Sequence, residues 1–171
     1  MSVRKAILND APALAEVQMA SWQQAYRDIL PQHVINAWNA TRPAQWYSYL
    51  RDPNHKTQNF VCEIDSSIVG FALFGSCRDE GADARENAEL YSLYIHPNYW
   101  RHGAGRALCA NVVQAAGELQ FADLCVWTFT ANARSRRFYE SIGFILQPAR
   151  SKDITLEGLS FAEVCYWQKL R

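Results

Sequence analysis

The segment over residues 89–106 constrains the fold of this chain more than any other part of the sequence. It begins as an apolar, strand-like run, passes through a short turn, and reaches two glycines where a helical pattern starts. Because glycine carries no side chain, Gly103 and Gly105 let the backbone approach a ligand closely. The segment therefore predicts a strand, a tight turn and a helix whose first N–H groups face outward.

The same turn is crowded with side chains that are cationic or can become so: Arg101, His102 and Arg106. Positive charge at a helix N-terminus opposes the helix dipole and costs roughly 0.3–1 kcal/mol per charge when no anion is present. A bound phosphate or pyrophosphate would turn that cost into attraction, because the first N–H groups of a helix also donate to anions. These residues therefore predict a phosphate-binding turn.

Two common phosphate-binding patterns do not fit this turn. A G-x-G-x-x-G dinucleotide fingerprint that starts at Gly103 requires a glycine where Leu108 stands. Its ribose-binding acid belongs at the end of the following strand, whereas Asp123 lies at the start of one. A Walker loop is excluded because no G-K-S/T sequence follows the glycines. The glycine pair alone supports a simple turn and a phosphate site equally.

The composition is that of an ordinary globular chain. Of the 171 residues, 49% are hydrophobic and 20% are charged, which suffices for one domain with a core. The 17 basic and 17 acidic side chains cancel, so we expect no nucleic-acid or membrane partner recruited by bulk charge. No apolar run approaches the ~20 residues of a spanning helix, and residues 1–9 lack the core of a signal peptide. We expect a single domain over residues 1–171 and a cytoplasmic protein.

The cysteines and histidines do not suggest a metal centre. The five cysteines show no C-x-x-C spacing, and most sit in apolar runs, which favours small buried side chains in a reducing compartment. A nucleophilic cysteine needs a positioned base, and no pattern identifies one. The four histidines lack the spacing of a zinc site. We predict no bound metal.

The hydrophobic periodicity predicts a mixed α/β sheet in one domain. Asn9 or Asp10 is expected to cap the first helix, residues 65–67 to form a hairpin turn, and Gly143 to end the last helix. Residues 78–87 are polar and charged and predict a loop, to which we assign no role. The predicted elements are a strand over 3–8, helices over 12–26, 31–38 and 43–50, strands over 60–64, 68–74 and 89–95, a helix over 104–119, a strand over 124–129, a helix over 132–142, and strands over 144–146 and 161–167, the last two around a polar loop.

The surroundings of the glycine turn resemble a known family. The sequence His96-Pro-Asn-Tyr-Trp-Arg-His-Gly-Ala-Gly105 is similar to the acetyl-CoA pyrophosphate loop of the GNAT superfamily of N-acetyltransferases, whose core pattern is Q/R-x-x-G-x-G/A. Trp100 stands where the family has glutamine or arginine. A second motif, Asn132-Ala-Arg-Ser-Arg-Arg-Phe-Tyr-Glu-Ser-Ile-Gly-Phe144, looks like the family's N-x-x-A/S-x-x-F-Y-x-x-x-G-F helix. Because both motifs occur in the family's order, the chain is identified as a member of this superfamily.

The resemblance implies a GNAT-like fold, a mostly antiparallel, twisted mixed sheet flanked by helices, whose splayed central strands bind acetyl-CoA as cosubstrate. It also implies direct transfer of the acetyl group to an amine, without a covalent enzyme intermediate. In the superfamily, a bulge in the strand before the turn leaves backbone donors for the pantetheine arm and the thioester carbonyl. The cofactor-binding residues implied in this way are Leu93, Tyr94, Ile95, Arg101, His102, Gly103, Ala104, Gly105, Arg106, Asn132 and Ser135.

The resemblance also implies two catalytic side chains. Tyr139 matches the family's general acid, since a phenol can protonate the thiolate of CoA as it leaves. Glu89 is the leading general base, acting directly or through water, because it lies fourteen residues before Gly103, the separation found in histone-type acetyltransferases of the superfamily. Several alternatives stay open: Glu89 as a carboxylate paired with an arginine or facing water, an ordered water as the base, Tyr139 as core packing, and Asn132 as a helix N-cap.

In the superfamily, the helices after the first strand line the acceptor pocket, and here they are rich in aromatic residues. Trp22 and Tyr26 are the predicted substrate contacts, because aromatic rings can hold an apolar or cationic amine, and packing onto the sheet is the alternative. No strongly acidic pocket of the kind expected for polyamines is evident. We expect a small-molecule or amino-acid-like amine as acceptor and a monomer or homodimer. The alternatives are a protein N-terminal or lysine acetyltransferase and a catalytically inactive acyl-CoA-binding regulatory module.

Overall fold

The computed structural model describes residues 1–171, and the chain forms two compact units. The first comprises Met1–Phe74 and Ser92–Val112, and the second comprises Gly75–Tyr91 and Val113–Arg171. The strands and helices are β1 (Ser2–Lys5), α1 (Ala11–Ala25), α2 (Gln32–Arg51), β2 (Gln58–Ile64), β3 (Ser67–Ser76), β4 (Asn87–Ile95), α3 (Ala104–Glu118), β5 (Asp123–Phe129), α4 (Ala133–Ser141), β6 (Ile145–Leu156) and β7 (Leu159–Lys169). None of the four helices is both long and apolar enough to span a membrane.

The strands form a seven-stranded sheet in the order β1-β2-β3-β4-β5-β7-β6. The pairs β1/β2, β2/β3, β5/β7 and β6/β7 are antiparallel, whereas β4 and β5 are parallel. This confirms the predicted mixed, mostly antiparallel sheet. The parallel ladder joins Asn87–Leu90 to Asp123–Val126 and ends there, although β4 continues to Ile95. The end of β4 therefore lies outside this ladder, as splayed strands require.

The core of the first unit forms where α1 and α2 pack on the inner strands. Leu14 and Val17 of α1 are buried together with Trp46 of α2 and with Val61 and Phe71 of the sheet. The helical spacing of the apolar residues in α1 produces this buried face, as predicted. The indole of Trp46 donates a hydrogen bond of 2.8 Å to Gln18 Oε1, so both polar groups are satisfied within the core.

The prediction of two short helices after residue 30 is wrong, because α2 is one helix that contains Pro43. A proline inside a helix costs roughly 3 kcal/mol, since it lacks an N–H group and crowds the preceding turn. Burial of Val34 and Ile35 before Pro43 and of Trp46 after it is worth roughly 1.5–3 kcal/mol per side chain. Packing on both sides of the proline thus outweighs the local penalty and keeps the helix continuous.

The first strand also ends earlier than predicted. β1 stops at Lys5, and Leu8–Asp10 form a short 3-10 turn before α1. Asp10 occupies the N-cap position of α1, as predicted, but its carboxylate does not bond to the helix. It accepts hydrogen bonds from Arg4 and from the backbone N–H of Ile7 instead.

The polar loop predicted between the last two strands is in fact part of a long hairpin. β6 and β7 pair up to Leu156 and Leu159, and the turn consists of Glu157 and Gly158 with φ of 49° and 79°. Two positive φ values in a row are typical of the tight turns that match the twist of paired strands. The outer strand β6 is mostly exposed and polar, so the hydrophobic pattern could not reveal it. Gly143, with φ of 93°, follows the end of α4 as predicted.

Candidate active site

The predicted phosphate-binding turn lies between β4 and α3 in the first unit. Arg101 and Gly103 adopt left-handed backbone conformations, with φ of 68° and 88°. For a non-glycine residue such as Arg101 this costs on the order of 1–3 kcal/mol, and such strain clusters at functional sites. The side chains of Arg101, His102 and Arg106 are all exposed. The turn thus presents positive charge and a helix start to solvent, as the sequence predicts for an anion site.

A hydrogen bond from the side chain of Trp100 connects this turn to the end of β4. Its indole N–H donates to the carbonyl of Ile95 at 2.8 Å. The carbonyl of Trp100 in turn accepts a hydrogen bond from Nδ1 of His102 at 2.9 Å. The residue that replaces the family's glutamine or arginine therefore holds the backbone of the turn against the end of β4.

The three residues predicted to offer backbone donors, Leu93, Tyr94 and Ile95, are half-buried at the end of β4. Gly70 of β3 permits a close approach here. A Cβ atom added at Gly70 would lie 2.9 Å from the carbonyl oxygen of Tyr94 and would collide with the side chain of Ile95. Only glycine fits at position 70 without displacing this end of β4.

The predicted acceptor contacts, Trp22 and Tyr26, belong to an aromatic cluster built by α1 and the following turn together with α2. Their rings meet edge to face at 5.1 Å, and Trp22 stacks on Trp38 at 5.8 Å between centroids. The structure therefore brings the two predicted residues together. Trp22 is buried, as the packing alternative requires, whereas Tyr26 is half-buried.

Arg42, which no sequence motif singles out, completes this cluster. Its guanidinium carbon lies 4.7 Å from the ring centre of Trp22 and 5.2 Å from that of Trp38, and the residue is only 8% exposed. Nη1 donates to Gln45 Oε1 at 3.0 Å, whereas Nε is buried without a hydrogen-bond partner. Arg42 takes part in none of the protein's ion pairs.

The charge of Arg42 is therefore not balanced. Burial lowers the pKa of this guanidinium, and the nearby phenols of Tyr94 and Tyr26 act in the opposite direction. Stacking on two aromatic rings contributes on the order of 2 kcal/mol, whereas removing a cation from water costs several kcal/mol in a protein interior, roughly twice that or more. The only signal in the sequence is an arginine among the tryptophans of α2.

In the second unit, the predicted base Glu89 is paired with an arginine, one of the alternatives left open. Glu89 is 2% exposed, and its Oε2 accepts the backbone N–H of Arg78 at 3.0 Å and Nε at 3.1 Å. Nη2 of the same arginine donates to Oε1. The guanidinium also stacks on Tyr91 at 4.0 Å from the ring centre. Arg78 comes from the polar loop to which the sequence assigned no role, and the catalytic role of Glu89 stays a prediction.

The helix motif is placed as the sequence indicates. Asn132 is 5% exposed and caps α4, where its Oδ1 accepts the N–H of Ser135 at 3.1 Å. This confirms the N-cap interpretation, and contact with a cofactor stays a prediction. Tyr139, at 6% exposure, packs with Phe144 and Tyr166 at 5.7 Å and 6.1 Å between ring centres. The general-acid role of Tyr139 is likewise still a prediction.

A cluster of thiols lies elsewhere in the second unit, beside a cleft of about 270 Å³. All five cysteines of the chain are buried and reduced, as predicted. Cys77 and Cys125 lie 3.6 Å apart between sulfurs, and a hydrogen bond with Cys165 helps to raise the pKa of Cys125 to about 12. The potential metal ligands of Cys77, Cys125 and Asp79 lie within 4.8 Å of one another, but Asp79 is already paired with Arg150. The predicted lack of a metal stays a prediction.

Comparison of the sequence with known proteins points to one family of enzymes. The model of the acetyltransferase (GNAT) family matches residues 18–144. The uncharacterized N-acetyltransferase YuaI of Bacillus subtilis is 32% identical over 146 residues, which cover 82% of this chain and 78% of the relative. The spermidine N(1)-acetyltransferase of Thermoplasma acidophilum is 22% identical over 161 residues, or 92% of this chain and 96% of the relative.

Solved structures share the fold. The PaiA N-acetyltransferase of Thermoplasma acidophilum, solved in complex with coenzyme A, superposes with a TM-score of 0.76 at 20% sequence identity. The match covers 98% of this chain and 98% of that chain.

Proposed function

The chain belongs to the acetyltransferase (GNAT) family, and on that premise we propose that it moves the acetyl group of acetyl-CoA directly to the primary amine of a small-molecule or amino-acid-like acceptor. The family match confirms the resemblance seen in the sequence, and the protein is an acetyl-CoA-dependent N-acetyltransferase. We take residues 1–171 as one N-acetyltransferase domain.

The turn between β4 and α3 carries the proposal. Its strained Arg101, its left-handed Gly103 and its exposed cationic side chains precede the start of a helix, which is the arrangement that binds pyrophosphate. We assign the pyrophosphate of acetyl-CoA to Arg101, His102, Gly103, Ala104, Gly105 and Arg106. The coenzyme A bound by the PaiA enzyme supports acetyl-CoA as the cosubstrate here.

The thioester would meet the backbone at the end of β4. N–H groups at Leu93, Tyr94 and Ile95 lie beyond the parallel ladder with β5, so we assign them to the pantetheine arm and the thioester carbonyl. We also propose Asn132 and Ser135, at the start of α4, as cofactor-binding residues.

The amine nitrogen loses two protons in the reaction. The ammonium group of the acceptor first loses one proton, and its lone pair then attacks the thioester carbonyl. As the C–S bond breaks, Tyr139 donates a proton to the departing thiolate, and the second proton, which the nitrogen loses on becoming an amide, restores the phenol of Tyr139. Glu89 accepts the proton of the amine, and its pairing with Arg78 favours a route through water, because arginine donors already contact both carboxylate oxygens.

The replacement at Trp100 was the one sequence feature in favour of an inactive acyl-CoA-binding module. Its indole fixes the turn to Ile95, so the replacement preserves the architecture of the loop and gives no reason to expect loss of catalysis. We therefore favour an active enzyme that acts on small amines over that module.

The test is release of free thiol from acetyl-CoA across a panel of amines, together with calorimetric binding of acetyl-CoA. Turnover above background with at least one amine is expected. Binding without turnover on any amine would refute catalysis.

Replacement of Arg101 and Arg106 by alanine should weaken acetyl-CoA binding about 10-fold or more, as loss of charge-assisted phosphate contacts does. The exposed Arg85 in the loop before β4 provides the matched control and should leave binding unchanged when replaced by alanine.

A further inference from the structure

Arg42 stands out in the first unit as a cation that the protein does not neutralise. The side chain is buried between Trp22 and Trp38 and forms no ion pair. Its only side-chain partner in a hydrogen bond is Gln45, which is neutral. Buried charges in proteins are normally paired, so an arginine in this position indicates that the partner charge comes from outside the chain.

The hydrogen-bond donors around Arg42 point to the same missing group. Nε of Arg42 and the indole nitrogen of Trp22 are both buried and have no acceptor. Nη2 of Arg42 donates no hydrogen bond either, but, unlike Nε, it is not sealed from solvent. The cluster therefore offers donors and positive charge, and it lacks an acceptor with negative charge.

Arg42, which lacks a negatively charged partner, lies close to residues that we assign to the acceptor and the thioester. The titratable groups that act on its guanidinium are the phenols of Tyr26 and Tyr94. Tyr26 is a proposed acceptor contact, and Tyr94 belongs to the segment assigned to the thioester. An anion at Arg42 would thus lie beside the place where the acceptor amine has to approach.

We propose that Arg42 binds a carboxylate of the acceptor, so that the substrates of this enzyme are amino acids or close analogues that carry a carboxylate near the amine. The proposal rests on the acetyl transfer proposed above. One uncompensated positive charge matches one carboxylate, whereas a phosphate monoester carries a charge of about −1.5 to −2 near neutral pH. The planar donor edge of arginine also fits a carboxylate.

The same observation separates this chain from a polyamine acetyltransferase. The relative that acts on spermidine is only 22% identical, and a polyamine carries only positive charges at neutral pH. A buried, unpaired arginine beside the acceptor would repel such a substrate, because like charges interact strongly away from water.

The test compares each acceptor acid with its own carboxamide. Glycine, methionine and phenylalanine are assayed against their α-carboxamides by thiol release, with wild type and the Arg42→Gln variant. In wild type, kcat/KM should favour the acid over the amide by about 10- to 100-fold, the range for a hydrogen bond to a charged group. In Arg42→Gln this preference should vanish while the KM for acetyl-CoA is unchanged. The acid-to-amide ratio of kcat/KM in wild type is divided by the same ratio in the variant. This division cancels the difference in basicity between the amines of the acids and those of the amides.

Two further variants keep the test decisive. Arg51→Gln removes an exposed arginine from the same helix and should preserve the preference. If Arg42→Gln fails to fold, Arg42→Lys replaces it; lysine keeps the charge but lacks the planar donor edge of arginine, so the preference for acids should fall without vanishing. Equal use of acids and amides by wild type, or an unchanged preference in the folded Arg42 variant, would overturn the proposal. Turnover of polyamines without discrimination between acids and amides would refute the carboxylate site and leave acetyl transfer intact.

If no amine is acetylated at all, acetyl transfer itself fails, and binding decides the role of Arg42. Calorimetry with the same acids and amides on the protein saturated with acetyl-CoA should then show tighter binding of the acids. Equal affinity for both would rule out the carboxylate site independently of catalysis.

Discussion

Glu89 and Arg78 form an ion pair in which the carboxylate is 3% exposed and the arginine side chain 63% exposed. The exposed partner therefore shields a buried charge from one side. Loss of the arginine leaves the carboxylate with the backbone N–H of residue 78 as its remaining donor from that loop, whereas loss of the carboxylate leaves an arginine that water can solvate.

We expect Arg78→Gln to lower the free energy of unfolding by about 1–3 kcal/mol, because both side-chain hydrogen bonds from Arg78 to the buried carboxylate are lost. Urea denaturation measures the change. Arg85→Gln in the same loop is the matched control, and its effect should stay within about 0.5 kcal/mol, as for exposed positions without partners. Equal effects of the two substitutions would show that the pair contributes no net stability.

The proposed role of Glu89 as general base is tested by the Glu89→Gln variant. If Glu89 accepts the proton of the amine, the rise of kcat/KM with pH should weaken in this variant, and the rate should fall by about 10²- to 10⁴-fold, the range for general base catalysis. The pH–rate profile of purified variant and wild type provides the measurement. An unaltered profile would assign the proton to an ordered water and leave Glu89 a structural role.

Gly70→Ala should disturb the end of β4. The added Cβ would lie 2.9 Å from the carbonyl oxygen of Tyr94 and against the side chain of Ile95, and such overpacking costs about 1–3 kcal/mol. We therefore expect both a lower melting temperature and weaker binding of acetyl-CoA. Gly117→Ala is the matched control, since nothing lies within 4 Å of its added Cβ, and alanine in a helix should stabilise by up to about 1 kcal/mol. Unchanged acetyl-CoA binding in Gly70→Ala would remove this strand end from the cofactor site.

The sequence predicted what depends on neighbouring residues. The strand, turn and helix around Gly103 and the N-cap by Asn132 follow from local spacing, and the structure places both as expected. Pro43 misled the prediction because its penalty is local, whereas the burial of Trp46 that offsets it comes from tertiary packing. The outer strand β6 escaped notice because a polar edge strand has no hydrophobic alternation.

The site residues that sequence reasoning missed are those whose partners lie far along the chain or outside it. The sequence shows that Arg78 is charged, but only the fold shows that it returns to Glu89. Arg42 is harder still to predict from the sequence. It stands out because it is buried without a counter-ion, and no local sequence pattern shows the lack of a partner.

The Asp10–Arg4 pair predicts a dependence of stability on pH. Burial alone would raise the pKa of Asp10, but hydrogen bonds from Arg4 and from the N–H of Ile7 outweigh it and lower the pKa below 3.8. A lowered pKa in the folded state means that the pair contributes stability above the pKa of the unfolded chain and loses it as the pH falls through the folded value. Wild type should therefore exceed Asp10→Asn in free energy of unfolding at about pH 7 and lose most of this advantage near pH 3 or below. Urea denaturation at both pH values measures it, and a constant difference would contradict the assignment.

Tyr139→Phe is expected to lower kcat by about 10²- to 10⁴-fold, the range for loss of a general acid, with little change in the affinity for acetyl-CoA. The buried ring stays in place in this variant, because phenylalanine preserves the contacts with Phe144 and Tyr166. Steady-state kinetics with a good acceptor and calorimetric binding of acetyl-CoA separate the two quantities.

Tyr166→Phe is the control for this substitution, since it removes a phenol from the same ring cluster. That hydroxyl accepts from Arg136 and donates to Glu140 at 2.7 Å, so its loss should lower stability and leave kcat within a few fold. Because the two variants delete the same atom from adjacent rings, a drop in kcat confined to Tyr139→Phe would support proton donation by Tyr139. Equal losses in both variants would instead attribute the effect to the packing of the cluster, and an unchanged kcat in Tyr139→Phe would remove its role as the acid.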